Sequence, residues 1–131
     1  IAIDPTDTRR IYIGTAQGGV WKTVDAGVNW TPMSDNEASL AIGALTLDPN
    51  DAQVVYAGTG EGNFSGDSYY GLGVLKSTNG GATWTLQGVN QFAGKRFCRL
   101  AVNQANSACV MGAVSGAQGA CDSELLASSF S

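Results

Sequence analysis

Ser77-Thr78-Asn79-Gly80-Gly81-Ala82-Thr83-Trp84 repeats an octad met earlier in the chain, Thr23-Val24-Asp25-Ala26-Gly27-Val28-Asn29-Trp30. Each opens on a hydroxyl, places Asp or Asn two residues later and glycine two after that, and closes on tryptophan. These are turn residues: Asp and Asn accept from nearby backbone N–H groups, and glycine takes positive φ freely. The likeness extends outward from the octads. Gly19-Val20-Trp21-Lys22-Thr23 matches Gly73-Val74-Leu75-Lys76-Ser77 at the same offset of 54. Further upstream the offset falls to 44, where Ile3-Asp4-Pro5 recurs as Leu47-Asp48-Pro49 and Ile11-Tyr12-Ile13-Gly14-Thr15 as Val55-Tyr56-Ala57-Gly58-Thr59. The second copy therefore carries ten extra residues between Thr59 and Gly73. A third copy opens at Leu100-Ala101-Val102-Asn103 and continues through Cys109-Val110-Met111-Gly112. It then loses the pattern, with no lysine-threonine strand end and no tryptophan from Gly116 to Ser131.

Each copy reads as four short strands. In the second, Ala44–Leu47 alternates and ends at the turn residues Asp48-Pro49-Asn50-Asp51, and Val54–Ala57 is β-branched and aromatic. Gly73–Ser77 and Thr83–Gln87 follow, joined by Asn79-Gly80-Gly81. A four-stranded antiparallel unit repeating every 40 to 55 residues or so is the mark of a propeller blade. The expected fold is all-β, a fragment of a β-propeller with two four-stranded blades and the start of a third. Residues 1–33 are the first blade, 43–88 the second and 98–114 the start of the third, with 115–131 an irregular tail.

The octads resemble the Asp-box (BNR repeat), Ser/Thr-x-Asp-x-Gly-x-Thr-Trp, of sialidases, xyloglucan-cleaving propellers and the sortilin-like receptor domain. The resemblance covers residues 1 to 112. Asn29 stands in the threonine slot of the first box and Asn79 in the aspartate slot of the second. The resemblance implies a structural role for Thr23, Asp25, Gly27, Trp30, Ser77, Asn79, Gly81 and Trp84. The carboxylate or amide caps the turn, glycine takes the unusual φ, and tryptophan packs between sheets. It puts the boxes at the bottom outer edge of each blade, opposite the substrate face, and implies a secreted or cell-surface protein, extracellular or periplasmic. Trp30→Ala is expected to cost about 3–5 kcal/mol in the complete protein.

Composition narrows the functions. Lys and Arg number 7 against 11 Asp and Glu, which leaves no basic stripe for nucleic acid or an anionic membrane surface. No apolar run reaches the roughly 18 residues that span a bilayer. Histidine is absent, so Ser-His-Asp and Cys-His pairs and histidine-based zinc sites are excluded. Cys98, Cys109 and Cys121 match no metal knuckle. One disulfide with an odd thiol and three unpaired thiols both fit. No cofactor, no metal and no catalytic residue is assigned to this stretch.

Blade topology places the ten-residue insertion on the top face, with the segments that link one blade to the next. Its stretch Gly60–Tyr70 carries Glu61, Asn63, Phe64, Asp67, Tyr69 and Tyr70. Aromatic faces stack on sugar rings, and carboxylates and amides bond hydroxyls. The alternative is a self-packed surface loop. If the segment is extended, Tyr69 and Tyr70 point to opposite sides and one at most faces a ligand. Lys95 and Arg96, an adjacent basic pair on that face, are read as solvated. The expected partners are a glycan or protein on the top face and the remaining blades of the full-length chain. The leading functional reading is an exported recognition module, catalytically incomplete as this stretch. The alternative is the N-terminal part of a glycoside hydrolase, sialidase-like or xyloglucan-cleaving, whose opposed carboxylates come from other blades. Two blades alone leave apolar surface uncovered, and Tyr12, Trp21 and Leu75 are expected to expose it.

Overall fold

The structure is a computed structural model that describes residues 1–62, 67–116 and, as backbone, 124–129. Three antiparallel sheets follow one another along the chain. The first is β1 (Ala2–Ile3), β2 (Ile11–Gly14), β3 (Val20–Thr23) and β4 (Thr31–Pro32), in that spatial order. The second is β5 (Ile42–Asp48), β6 (Asp51–Thr59), β7 (Val74–Ser77) and β8 (Thr85–Gln87). A four-residue helix, α1 (Val89–Phe92), leads to the third sheet: β9 (Arg96–Val102), β10 (Cys109–Ser115) and β11 (Glu124–Ser129). This up-and-down order is that of consecutive propeller blades.

Strand β8 starts two residues later than expected, because Thr83 and Trp84 belong to the turn before it. Strand β11 corrects the expectation of an irregular tail over 115–131. It pairs with β10 from Cys109↔Ser129 to Val114↔Glu124. Strand pairing uses main-chain groups, so the exposed edge of β10 accepts an extended segment that keeps no repeat motif.

The repeat dictates how the sheets stack. Tyr12 and Val20 point forward from sheet one and join Leu47, Val55, Ala57 and Leu75 of sheet two in one core. Tyr56 and Val74, their equivalents in sheet two, point forward onto Phe97, Leu100, Val110 and Val114 of sheet three. Sheet two is therefore apolar on both faces, and sheet one repeats its pattern. Tyr12 and Leu75 are fully buried rather than exposed, because sheets one and two cover them. The open surface falls on the rear of sheet one. There Ile3, Ile11, Ile13 and Trp21 occupy the positions that Leu47, Val55, Ala57 and Leu75 hold in sheet two. Ile3 is 53% exposed, whereas Leu47 is 9% exposed.

Polar bonds pin the first interface. The Tyr12 hydroxyl and the Lys22 ammonium donate to the Gly80 carbonyl at 3.1 and 2.9 Å. Trp84 packs against the core between sheets one and two, and its indole N–H donates to the Met33 carbonyl at 2.8 Å. Trp30, its equivalent, is half-buried over its own turn and donates to Gly27 at 3.0 Å. In this chain, then, Trp84→Ala is expected to cost about 3 kcal/mol and Trp30→Ala clearly less, since only Trp84 leaves a gap between two sheets. Chemical denaturation of the two variants checks the order; equal losses would mean that Trp84 gains nothing from its neighbouring sheet.

Candidate functional site

The two ends of the sheets are built differently. At one end lie the first hairpin and the octad turn of each repeat, bonded together. Ala26 N–H donates to the Arg9 carbonyl at 3.0 Å, and Gly80 N–H donates to the Gln53 carbonyl at 2.8 Å. The first hairpins close the same way in all three copies. Asp4, Asp48 and Asn103 each accept the N–H two residues on through Oδ1, at 2.7, 2.9 and 2.9 Å.

The octads share a second network. The hydroxyls of Thr23 and Ser77 donate to Oδ1 of Asp25 and Asn79 at 2.7 and 3.0 Å, and accept from Gly27 and Gly81 N–H at 3.0 and 2.8 Å. The same Oδ1 atoms accept from the N–H of Asn29 and Thr83 at 2.9 Å each. Gly27 and Gly81 sit at φ 94° and 90°, a region that favours glycine. The outer side-chain pair is reversed between copies. Asn29 donates to Asp25 Oδ2 at 2.7 Å, whereas Asn79 donates to the Thr83 hydroxyl at 2.8 Å. The bonds from Asn29 N–H, the Thr23 hydroxyl and the Asn29 amide hold the Asp25 carboxyl down at about 2. Both carboxylate oxygens of Asp25 are thus engaged within its own turn.

The opposite end carries the cleft. In both copies it starts from a threonine clasp. Thr15 Oγ1 accepts from Gly18 N–H at 2.9 Å and donates to the Gly19 carbonyl at 3.1 Å. Thr59 Oγ1, fully buried, accepts from Leu72 and Gly73 N–H at 2.8 and 3.0 Å and donates to the Gly73 carbonyl at 2.7 Å. The ten extra residues thus spring from a closed base. Gly71 anchors them to sheet three: its N–H donates to the Lys95 carbonyl at 2.7 Å, and its carbonyl accepts from Gly94 N–H at 2.9 Å. A β-carbon on Gly71 would lie 2.2 Å from the Thr59 carbonyl oxygen, so only glycine allows this approach.

Between the clasps runs a cleft of about 350 Å³. Gln17 from the β2–β3 connection, Ala38–Ala41 from the link between sheets one and two, and Tyr69, Tyr70 and Leu72 from the insertion line it. Backbone bonds hold the link in place, from Gly19 N–H to Leu40, Ile42 N–H to Thr15 and Gly60 N–H to Ala41.

Of the residues singled out in the insertion, Tyr69 and Tyr70 both line the cleft and are 56% and 49% exposed. The expectation that one turns inward fails, because the segment is a turn and irregular chain rather than a strand. Glu61 lies at the base of the insertion, bridged to Phe97 of β9, with its N–H bonded to the Tyr69 carbonyl at 3.0 Å. Asp67 is exposed. Asn63 and Phe64 lie outside the described residues, as does Cys121. Cys98 is held in a disulfide and Cys109 is a free thiol. Arg96 is not solvated: it is 8% exposed, with its guanidinium carbon 4.4 Å from the Tyr70 ring centre. Gln17 and the Ala38–Ala41 link escaped the reading of the sequence, since they carry no aromatic or charged side chain; only their place at the clasp end marks them. No carboxylate lines the cleft among the described residues, and no group of acidic or sulfur ligands there could hold a metal.

No protein-family model matches the chain. It is 31% identical over 101 residues to a xyloglucanase of Acetivibrio thermocellus, covering 65% of this chain and 11% of that protein. It is 35% identical over 108 residues to a xyloglucanase of Hypocrea jecorina, covering 73% and 13%. The chain therefore spans about a tenth of the length of the curated relatives it matches. Among solved structures, a GH74 enzyme of Niastella koreensis superposes with a TM-score of 0.66 over 89% of this chain and 17% of its own, at 21% identity. An ancestral GH74 enzyme superposes with a TM-score of 0.67 over 86% and 13%, at 21% identity. The fold is that of part of a β-propeller.

Two predictions follow from the two ends. The Asp25 carboxyl lies below its ordinary 3.8, so the stability it contributes is present above that value and fades as pH falls toward about 2. The Asn29 backbone amide resonance should titrate with a midpoint of about 2, while that of Thr83, bonded to an amide that does not titrate, stays flat. Parallel titration of both would mean that the turns respond to global unfolding instead. At the clasp, Thr59→Val should cost about 1–3 kcal/mol by orphaning buried N–H groups. Amide exchange at Leu72 and Gly73 should quicken with it; unchanged exchange there would remove the clasp from the base of the insertion.

Proposed function

We propose that this chain is part of a glycoside hydrolase and forms one stretch of its glycan-binding surface, taking a xyloglucan-type β-glucan. The observation that carries this reading is the cleft between the first two sheets, open and lined by two exposed tyrosines, in a chain whose relatives are xyloglucanases. Tyrosine offers a flat apolar face for a sugar ring and a hydroxyl for its rim. Gln17 and the link backbone add hydrogen-bonding groups. The missing carboxylates fit a supporting role, since glycoside hydrolysis needs two acidic groups flanking the bond and the other blades must supply them. Because the relatives are enzymes, the hydrolase reading now stands ahead of a non-catalytic recognition module.

The remaining blades are the expected partners, one of them covering Ile3, Ile11 and Ile13 as sheet one covers Leu47, Val55 and Ala57. Export is part of the proposal. The Cys98 disulfide suits an oxidising compartment, and no helix among the described residues is long and apolar enough to cross a membrane.

The test uses the full-length protein and a xyloglucan oligosaccharide. Tyr69→Ala should weaken binding by about 1 kcal/mol, the scale of one aromatic contact, with the melting temperature little changed. Release of reducing ends from xyloglucan by the unaltered protein should accompany this. Binding untouched by both Tyr69→Ala and Tyr70→Ala, or no release of reducing ends, would turn the reading back toward a structural loop or a recognition module.

A further inference from the structure

Arg96 is a buried cation without a counter-charge. It is 8% exposed, its Nε is buried without a hydrogen-bond partner, and no carboxylate pairs with it among the described residues. The hydrogen bond and the ring contact of its guanidinium both lead to the insertion. Nη2 donates to the Ser68 carbonyl at 3.4 Å, and the guanidinium covers one face of Tyr70 at 4.4 Å. A desolvated charge with so little compensation is costly. The backbone on either side is fixed. Lys95 accepts from Gly71, Phe97 bridges to Glu61, and Arg96 itself is in register with Ser115 across β9 and β10.

We infer that Arg96 is a positioning residue, holding Tyr70 as the fixed stacking platform of the cleft while Tyr69 stays free to adjust. This rests on the glycan reading of the cleft and adds to it which tyrosine is pre-set, and by what. A half-exposed tyrosine outside any strand turns about two side-chain bonds, and that freedom is lost when a sugar ring docks. Stacking on a planar guanidinium removes it beforehand, so the ring waits with one face occupied and the other available to ligand. Lysine cannot substitute fully, since an ammonium is a point charge that cannot lie flat on the ring.

A double-mutant cycle in the full-length protein tests this, with a xyloglucan oligosaccharide as probe, calorimetry for affinity and thermal melts for stability. Arg96→Met should weaken binding about fivefold, the scale of a cation–π contact. Arg96→Lys should recover only part of it. In a Tyr70→Ala background, Arg96→Met should add no further loss, because its effect runs through the ring. A further loss in that background would overturn the inference, as would full binding by Arg96→Met where Tyr70→Ala weakens it. If Tyr70→Ala and Tyr69→Ala both bind normally, the glycan reading itself falls. Should Arg96→Met lower the melting temperature sharply, the cycle is read with Arg96→Lys, which retains the charge and the length of the stem.

Discussion

A four-stranded sheet with apolar side chains on both faces needs a neighbour on each side, and everything else in this chain is arranged around that need. Tyr12 shows how the need is met. Its ring is wholly buried between sheets one and two, and its hydroxyl reaches the Gly80 carbonyl in the octad turn of the next repeat. Lys22, directly across the ladder from Tyr12, donates to the same carbonyl and lies 5.3 Å from the Tyr12 ring centre. One turn carbonyl therefore registers two strands of the preceding sheet. The turn must be rigid to serve, and the hydroxyl–carboxyl–glycine network of each octad makes it so. The second interface, between sheets two and three, keeps the logic with other residues. The Ser107 hydroxyl donates to Asp48 at 2.8 Å and the Asn50 amide to the Gln104 carbonyl at 2.9 Å.

The two octads show what is conserved in such a turn and what is free. Both need an acceptor at the third position for one hydroxyl and one N–H, and Asp25 and Asn79 each supply it through Oδ1. The outer bond only needs a donor facing an acceptor. Aspartate with asparagine meets that one way round, and asparagine with threonine the other. The substitutions at the third and seventh positions are thus matched within each turn, and the geometry survives both.

Much of this was legible in the residues. The spacing of Tyr12 and Tyr56, of Lys22 and Lys76 and of the two octads fixes the strands, their order and the end where turns are locked. What escaped the reading shares a cause. Strand β11 pairs by main-chain groups and needs no signature, so its sequence carries none. The burial of Arg96 depends on where a loop from another sheet lies, and a basic pair reads as solvated until that loop is placed. The outward pose of both tyrosines depends on the insertion being irregular, which alternation cannot foresee. In each case a contact between distant parts of the chain overrode a local rule.

The clasps explain why the cleft opens at the end opposite the octads. Thr15 and Thr59 close their connections with the same hydroxyl bonds, though one spans Gly19 and the other Gly73. Because the base is closed on its own, the length of chain beyond it is free to vary, and lengthening a closed loop adds little entropic cost. The octad end has less freedom, since the groups that close its turns also bond within the turn or to the neighbouring sheet. New side chains therefore enter at the clasp end without disturbing the stack. There the insertion of one sheet faces the link from the sheet before it. A cleft formed this way belongs to the junction between sheets rather than to either one. The buried contacts that hold the sheets together, with Tyr12 and Leu75 at their centre, are thus also what sets the distance between its walls.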